Sequence, residues 1–590
     1  MMMNNSRFGT AFRRVAVVLS VALISSFCNC STPGFVLNSL SSFDLLASSG
    51  ARNFVITSNV DLRGMTVKIP EGTLFTFKDG GSLNNGTLDG SFSVDGVGKN
   101  SLNVTAKKGC RILGIVPAYN HSSEVNRSII SAAVEGVRLM EDISIDSAVV
   151  LRAALDGNQH KLVASQKASS AIRIENSKTP ILISNIEIVK EYEPGSINRN
   201  YALNIRNSSN VAVTNSTVEG RIRVVNATLS DKAEDISENF VFSGCRLTCD
   251  LSVCPQGATY GQDHLAFYSI KNIAIEDCEI VSRSVNRVLK TSEYFPEKKY
   301  EKASHCTENV VFRRNRVDAV SAHGKQMWDM YCGTLDVLIE DNDFQIDGFT
   351  RFVEDKAYQD KYRSGVLAES TITIVRNRVS TRGGDLFQFL ANRHCDRFEV
   401  RENQFVLTGP NLNANTGFQR AAGFYLQGYK SAVIVDNSFV FKEEAIGLVV
   451  GKVNFQCDST LMANNEIQDA YRVYFAQANH PLRGSERVRC GYFGYKDNKK
   501  KYTSAYKEDR GELLVASTDV DVLDVSIADN ESLGSYMIAF AKESQVGDFR
   551  YVSKNASNNA FYTLSKGVTI KKIQDEKRFV RKDNFWTVKK

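Results

Sequence analysis

Five short phrases in the middle of the chain share one pattern, two apolar residues followed by a polar one. They are Val288-Leu289-Lys290, Met327-Trp328-Asp329, Phe352-Val353-Glu354, Leu386-Phe387-Gln388 and Tyr425-Leu426-Gln427. If these segments are strands stacked in register, their third residues form one outward file with neighbours about 4.8 Å apart. Two carboxylates at that spacing, Asp329 and Glu354, repel, and one of them is expected to keep its proton near neutral pH. That split is what a general acid beside a base or nucleophile requires. Retaining glycoside hydrolysis places its two carboxyl groups about 5 Å apart, and inverting hydrolysis about 6.5–9.5 Å. Elimination beside a sugar carboxylate uses other parts. Lys290 or the neighbouring Arg287 would neutralise that carboxylate, and His323 or Tyr268 would carry protons. Gln388 and Gln427, further along the file, would contact substrate. The plainer alternative is a column of solvated polar side chains alternating with core residues. His264, His305 and His394 lie next to turns and read as structural or exposed.

The connections after these phrases differ in length. Residues 291–309 and 355–371 are long and 330–336 is short. Two long loops flanking a short one would wall a groove over Asp329, and loops on a rigid scaffold are where function concentrates.

The elements that must position this file repeat along the chain. A second phrase recurs: two apolar residues two apart, then two residues, a turn residue, one residue and another apolar. Its clearest copies are Val310-x-Phe312-x-x-Asn315-x-Val317, Val337-x-Ile339-x-x-Asn342-x-Phe344, Ile372-x-Ile374-x-x-Asn377-x-Val379 and Phe398-x-Val400-x-x-Asn403-x-Phe405. Asn437, Asn465, Asn498 and Asn530 head weaker copies, and Ile186, Ser216, Cys245 and Cys278 hold the slot upstream. Successive slots lie 26–37 residues apart. Apolar residues two apart have the period of a strand, not of a helix. A strand returning at this interval, with no room for a crossover helix each time, predicts a solenoid whose single coil cannot bury its apolar face alone. Asn side chains in one slot can then bond one to the next, as in stacked cross-β chains. Eleven steps of about 4.8 Å give a stack of roughly 50 Å from these coils.

These residues resemble a known group. The chain is similar to right-handed parallel β-helix proteins of the pectin-lyase-like superfamily, with Asn315, Asn342, Asn377, Asn403, Asn437 and Asn465 matching its turn ladder. The likeness covers about residues 120–540. It implies an all-β, right-handed parallel β-helix solenoid of about 12 coils with capping segments. It leaves the activity open among lyases, hydrolases, esterases, phage tailspikes and non-catalytic adhesins. The polygalacturonase-type pattern of Asn-Thr-Asp, paired Asp and Gly-His-Gly is absent, and Ala322-His323-Gly324 echoes it only in part.

Outside the repeats, residues 54–115 hold short β segments punctuated by turns at Pro70-Glu71-Gly72, Gly80-Gly81, Asn85-Gly86 and Asp89-Gly90. An N-terminal accessory β module over 31–115 is therefore expected, then the β-helix over 116–545 and a basic cap over 546–590. Residues 42–48 could form a short helix. Residues 123–139 place Val125, Ile129, Ala132, Ala133 and Leu139 near helical spacing. Such a helix resembles the one that plugs the open end of pectin-lyase-like coil stacks. The last 25 residues carry nine Lys/Arg and three acids, which reads as a solvated cap or a contact for an anionic polymer.

Arg7, Arg13 and Arg14 precede an uncharged apolar run from Val15 to Phe27, the form of a secretory signal peptide over residues 1–30. Thirteen residues are too few for a bilayer span of about 20. Cys28 and Cys30 follow, so lipoprotein-type processing stays open, although Phe27 and Asn29 are not the small residues such a site prefers. Export to a bacterial periplasm, cell surface or medium is expected. Ten cysteines lie beyond residue 30. Cys306, Cys332, Cys395, Cys457 and Cys490 stand just before a repeat phrase, as a recurring apolar plug. Buried free thiols are the favoured reading, while Cys457/Cys490 and Cys245/Cys278 are candidates for bonding. Cys249 and Cys254 lack histidines at zinc spacing.

At 43% hydrophobic and 23% charged residues the chain is globular, not disordered. A net charge of +6 is too small for a dedicated nucleic-acid binder. No nucleotide-binding or metalloprotease motif is present. Asp341-Asn342-Asp343 begins like a calcium loop but lacks its glycine and sits in a repeat, so no cofactor is expected, calcium remaining open only for a lyase. The expected partner is a polysaccharide, met by an exported protein that cleaves an extended glycan, uronate-containing or neutral, by lyase or hydrolase chemistry. The rival is a surface adhesin or glycan binder, in which Tyr425 and Tyr429 would form a sugar-stacking face. Trimeric assembly would point instead to a tailspike.

Overall fold

The computed structural model describes residues 35–39, 50–195, 200–228, 235–253, 262–294, 306–321, 324–331, 334–356, 370–389, 395–409, 422–426, 429–442, 447–451, 457–475 and 488–501. Beyond these it describes 513–516, 520–532, 536–540, 545–552, 560–564, 569–574, 579–582 and 585–588. The expected signal peptide, Cys28, Cys30 and the helix at 42–48 lie outside them. The chain divides into two compact units, residues 1–226 with 235–248, and residues 227–234 with 249–590.

The first unit opens with a parallel sheet built on two long strands, Thr66–Phe77 and Ser82–Asp95. Phe54, Phe75 and Phe92 follow one another through its buried face. A helix, Ser123–Ala132, comes next. Ser122 caps it by accepting from the Val125 N–H, and Glu124 sits in the first turn, where a negative charge meets the positive helix end. The apolar spacing predicts helix through residue 139, but the helix stops at Ala132 and Leu139 belongs to the strand Gly136–Leu139. The physical reason is local: Ala133 turns extended, and Val137 pairs in register with Val116 and Leu155. Tertiary pairing overrides the helical period there. Parallel coils then follow, with Leu155, Ile183, Val213 and Phe242 in one buried file.

In the second unit the chain passes repeatedly through three parallel stacks. Strands such as Thr307–Arg313, Thr334–Glu340 and Thr371–Val375 make one, and Arg316–Val320, Asp343–Asp347 and Arg378–Arg382 make the next. Asp263–Tyr268, Arg287–Ser292, Gln326–Tyr331, Arg351–Lys356 and Asp385–Phe389 belong to the third. This is a parallel β-helix. Its interior is a set of files, one being Phe312, Ile339, Ile374, Val400, Ile434 and Met462, all buried. Aromatic rings stack where they fall in one file, as Phe405 and Phe439 do at 5.1 Å between centroids.

The Asn phrase marks the corner between the first two stacks. The residue before each rung (Arg314, Asp341, Arg376, Glu402, Asp436, Asn464, Asp497 and Asp529) has φ between 51° and 59°. That left-handed residue turns the chain, and the buried Asn after it satisfies the backbone groups the turn exposes. Each Asn Nδ2 donates to the Oδ1 of the next rung, from Asn315 through Asn342, Asn377, Asn403, Asn437, Asn465 and Asn498 to Asn530. The same Oδ1 also accepts the backbone N–H of the preceding rung, as Asn342 Oδ1 does from Asn315. Cys278 holds the slot ahead of Asn315, its N–H donating to Asn315 Oδ1. Asp341 is used up in this architecture by an ion pair with Arg376.

Cys110, Cys245, Cys249, Cys278, Cys306, Cys457 and Cys490 carry free, buried thiols. Cys332, Cys254 and the Cys395 side chain lie outside the described residues. Among the described residues no helix is long and apolar enough to cross a membrane. The C-terminal strands Phe579–Lys582 and Phe585–Val588 pair antiparallel.

Candidate functional site

The third stack of the second unit aligns the file read from the sequence. Ala266 pairs in register with Lys290, Lys290 with Asp329, Asp329 with Glu354 and Glu354 with Gln388. The apolar residue before each points inward. Trp328, Val353 and Phe387 are in register and buried, and the Trp328 Nε1 donates to Thr291 Oγ1 at 2.9 Å. That interior anchor holds the Lys290 and Asp329 strands at a fixed height relative to each other.

A second set of polar residues lies three positions earlier on each strand: Asp263, Arg287, Gln326, Arg351 and Asp385. Asp263 pairs in register with Arg287, and Arg351 with both Gln326 and Asp385. The two sets interlock. Arg287 Nη1 donates to Asp263 Oδ1 at 3.1 Å, while its Nε lies 2.8 Å from Asp329 Oδ2, so one guanidinium bridges two carboxylates. Arg351 Nη1 donates to Glu354 Oε1 at 2.5 Å.

The file is not outward in the sense the sequence predicts. Asp329 is 1% exposed and Glu354 is fully buried. Isolated buried carboxylates are costly, and here a guanidinium faces each one. The expectation of a bare, mutually repelling acid pair therefore does not describe this site, because charge of the opposite sign stands against both members. Asp329 Oδ1 is buried without a hydrogen-bond partner among the described residues.

Lys290 is half-buried, with its ammonium 5.5 Å from the centre of the Tyr268 ring. Burial works against its charge, but Tyr268, Asp263 and Asp329 outweigh burial and the repulsion of Arg287, so the ammonium is held above the usual lysine range. Arg287 is likewise held above its ordinary value, burial being outweighed by Asp263 and Asp329. Lys290, Asp329, Glu354, Arg287 and Tyr268 are thus brought onto one face of one sheet.

Other expected positions fall elsewhere. His323 and Gln427 lie outside the described residues, and of Gln388 only the backbone is described. The fifth place of the file, beside Gln388, belongs to Tyr425 and not to Gln427, because the strands pair two residues earlier than the phrase implies. Tyr429 does not face solvent. It is buried, with its hydroxyl 2.8 Å from Thr460 Oγ1, and cannot stack on a sugar. His264 is buried within a strand with Nδ1 2.8 Å from Ser282 Oγ, a structural contact. Residues 295–305, 332–333 and 357–369, the parts of the connections expected to wall a groove, are outside the described residues. Among the described residues no three His, Cys, Asp or Glu side chains gather as metal ligands would.

Sequence reasoning missed Asp263, Arg351 and Asp385. The available signal was the recurrence of a polar residue three before each file residue. A strict strand alternation hides it, since residues three apart belong to opposite faces unless the strand is locally irregular.

No family model matches this chain. No curated protein matches it either. Among solved structures, it is similar to a tailspike protein of Escherichia coli bacteriophage HK620 in complex with a hexasaccharide, at 12% identity and a TM-score of 0.31, over 92% of this chain and 78% of that one. A PL6-family alginate lyase is similar at 9% identity and a TM-score of 0.26, over 92% of this chain and 98% of that one. The Streptococcus pneumoniae surface protein and adhesin PfbA is similar at 14% identity and a TM-score of 0.21, over 91% and 99%. These are likenesses of fold. The chain's own long parallel sheets make it an all-β protein of parallel β-helix architecture.

Proposed function

We propose that this chain is an exported protein that binds an extended polysaccharide along the third stack of its second unit and cleaves it at the Lys290, Asp329 and Glu354 file. The observation that carries the reading is the register of Asp329 with Glu354, with Lys290 one strand before. Adjacent strands put these carboxylate-bearing positions about 4.8 Å apart, close to the roughly 5 Å carboxyl spacing of retaining glycoside hydrolysis. A charged Lys290 suits an anionic sugar unit better than proton abstraction. Its ammonium would meet a uronate carboxylate, and the buried Asp329/Glu354 pair would act on the glycosidic oxygen once bound substrate draws Arg287 and Arg351 away from these carboxylates. A parallel sheet of evenly spaced side chains also matches a repeating chain of sugars.

One observation favours a second reading, a non-catalytic glycan binder or adhesin. Asp329 and Glu354 are buried against Arg287 and Arg351, which is how a structural ion network looks. The two readings separate in one experiment. Purified protein is incubated with a panel of uronate-containing and neutral glycans, following reducing ends and unsaturated-product absorbance together. Unsaturated product marks a lyase, and reducing ends without it a hydrolase. Measurable binding with silence on both readouts moves the weight to the binder.

A further inference from the structure

Two cysteines of the second unit stand at the same height on adjacent coils. Cys457 opens the strand Cys457–Ala463, and Cys490 lies near the start of Val488–Lys496. The strands are parallel and Cys457 pairs in register with Cys490, followed by Ser459 with Tyr492 and Thr460 with Phe493. One inter-strand spacing, about 4.8 Å, lies within the Cα separation of roughly 4.4–6.8 Å that a disulfide spans. Both side chains are buried, at 4% and 3% exposure, so they share the inward face. Two other thiols of this unit have different surroundings: Cys278 Sγ donates to the Glu276 carbonyl and Cys306 Sγ to Glu293 Oε1.

We propose that Cys457 and Cys490 are a latent disulfide site, closed by exchange with a low-molecular-weight disulfide. One cysteine thiolate attacks that disulfide, one thiol leaves, and the second cysteine displaces the other. An S–S bond forms between the two Sγ atoms, their two protons pass to solvent or to the departing thiolates, and the two electrons reduce the donor disulfide to two thiols. The product is a coil-to-coil staple that ties off residues 458–489. The contact with Cys457, together with burial, holds the Cys490 thiol well above its ordinary range, so exchange quickens as pH rises through the alkaline side of neutrality.

The test uses the full chain. It is exposed to oxidised glutathione at pH 8, unfolded in an alkylating agent without reductant, and mapped by peptide mass spectrometry. The expected product is a linked pair of peptides holding Cys457 and Cys490, two hydrogens lighter than their sum and separated by reductant. Its thermal midpoint should exceed that of the reduced protein, with the difference absent in C457S. Recovery of Cys457 and Cys490 as alkylated thiols, or linkage of either to another cysteine, overturns the proposal. The wild-type map decides it even where the serine variant fails to fold.

Discussion

Asp329 and Glu354 are in-register partners on neighbouring parallel strands, yet each carboxylate lies against a different arginine, Arg287 for the first and Arg351 for the second. The stacking that brings two like charges together also brings their counter-charges, since Arg287 and Arg351 stand three residues before Lys290 and Glu354 on the same strands. The site is a small lattice of alternating charge more than a pair of acids.

Breaking one pair of that lattice should cost more than removing it whole. Arg351→Met leaves the buried Glu354 without its guanidinium, and a loss of about 3–5 kcal/mol is expected. The double change Arg351→Met with Glu354→Leu should recover most of it. Urea unfolding of the three proteins measures this. A single variant no less stable than the double one would show the ion pair to be energetically idle.

If cleavage occurs at this file, Asp329→Asn and Glu354→Gln should each lower turnover by about two to four orders of magnitude while leaving glycan affinity within a few fold. Each amide keeps the shape and loses the proton or negative charge. Turnover retained in full removes the pair from the chemistry.

The Asn ladder should be a main support of the coil corners. Asn377 Nδ2 donates to Ile339 O, Val375 O and Asn403 Oδ1, and its Oδ1 accepts from the N–H and Nδ2 of Asn342. Asn377→Ala should cost roughly 2–4 kcal/mol, because buried groups above and below lose their partner. Asn377→Asp should be at least as damaging, since a carboxylate cannot donate to Asn403 Oδ1 or the two carbonyls. Denaturant midpoints at unchanged m-value check both.

Lys190 supplies a pH test in the first unit. Its ammonium is buried, donates to Ser165 O at 2.9 Å and to Glu191 O, and is pulled down to about 8 by burial, with Glu191 opposing. The folded value lies below the unfolded one near 10.5. Between pH 8 and 10.5 the unfolded chain therefore binds more protons, and this group's contribution to stability rises with pH. The difference in unfolding free energy between wild type and Lys190→Met should shift in favour of wild type across that window, by up to roughly 3 kcal/mol. A difference constant with pH would contradict the burial of a charged amine there.

Much of the fold was legible without coordinates. Apolar residues two apart, followed three residues later by Asn315, Asn342, Asn377 or Asn403, read directly as strand, turn and rung, because period and turn chemistry are local properties of the chain. The same periodicity put Lys290, Asp329, Glu354 and Gln388 into one file. What it could not supply was register to the residue: Tyr425 takes the place read for Gln427, since the offset between two strands is chosen by how their inward side chains pack. Nor could it supply burial. Asp329 and Glu354 look solvated in the pattern, but Arg287 and Arg351 reach them only through coil-to-coil and within-strand contacts that a strict alternation denies. Local sequence determined which residues repeat and turn; three-dimensional stacking alone decided which charges meet, because charges separated by 24 to 42 residues become neighbours only when the coils close on one another.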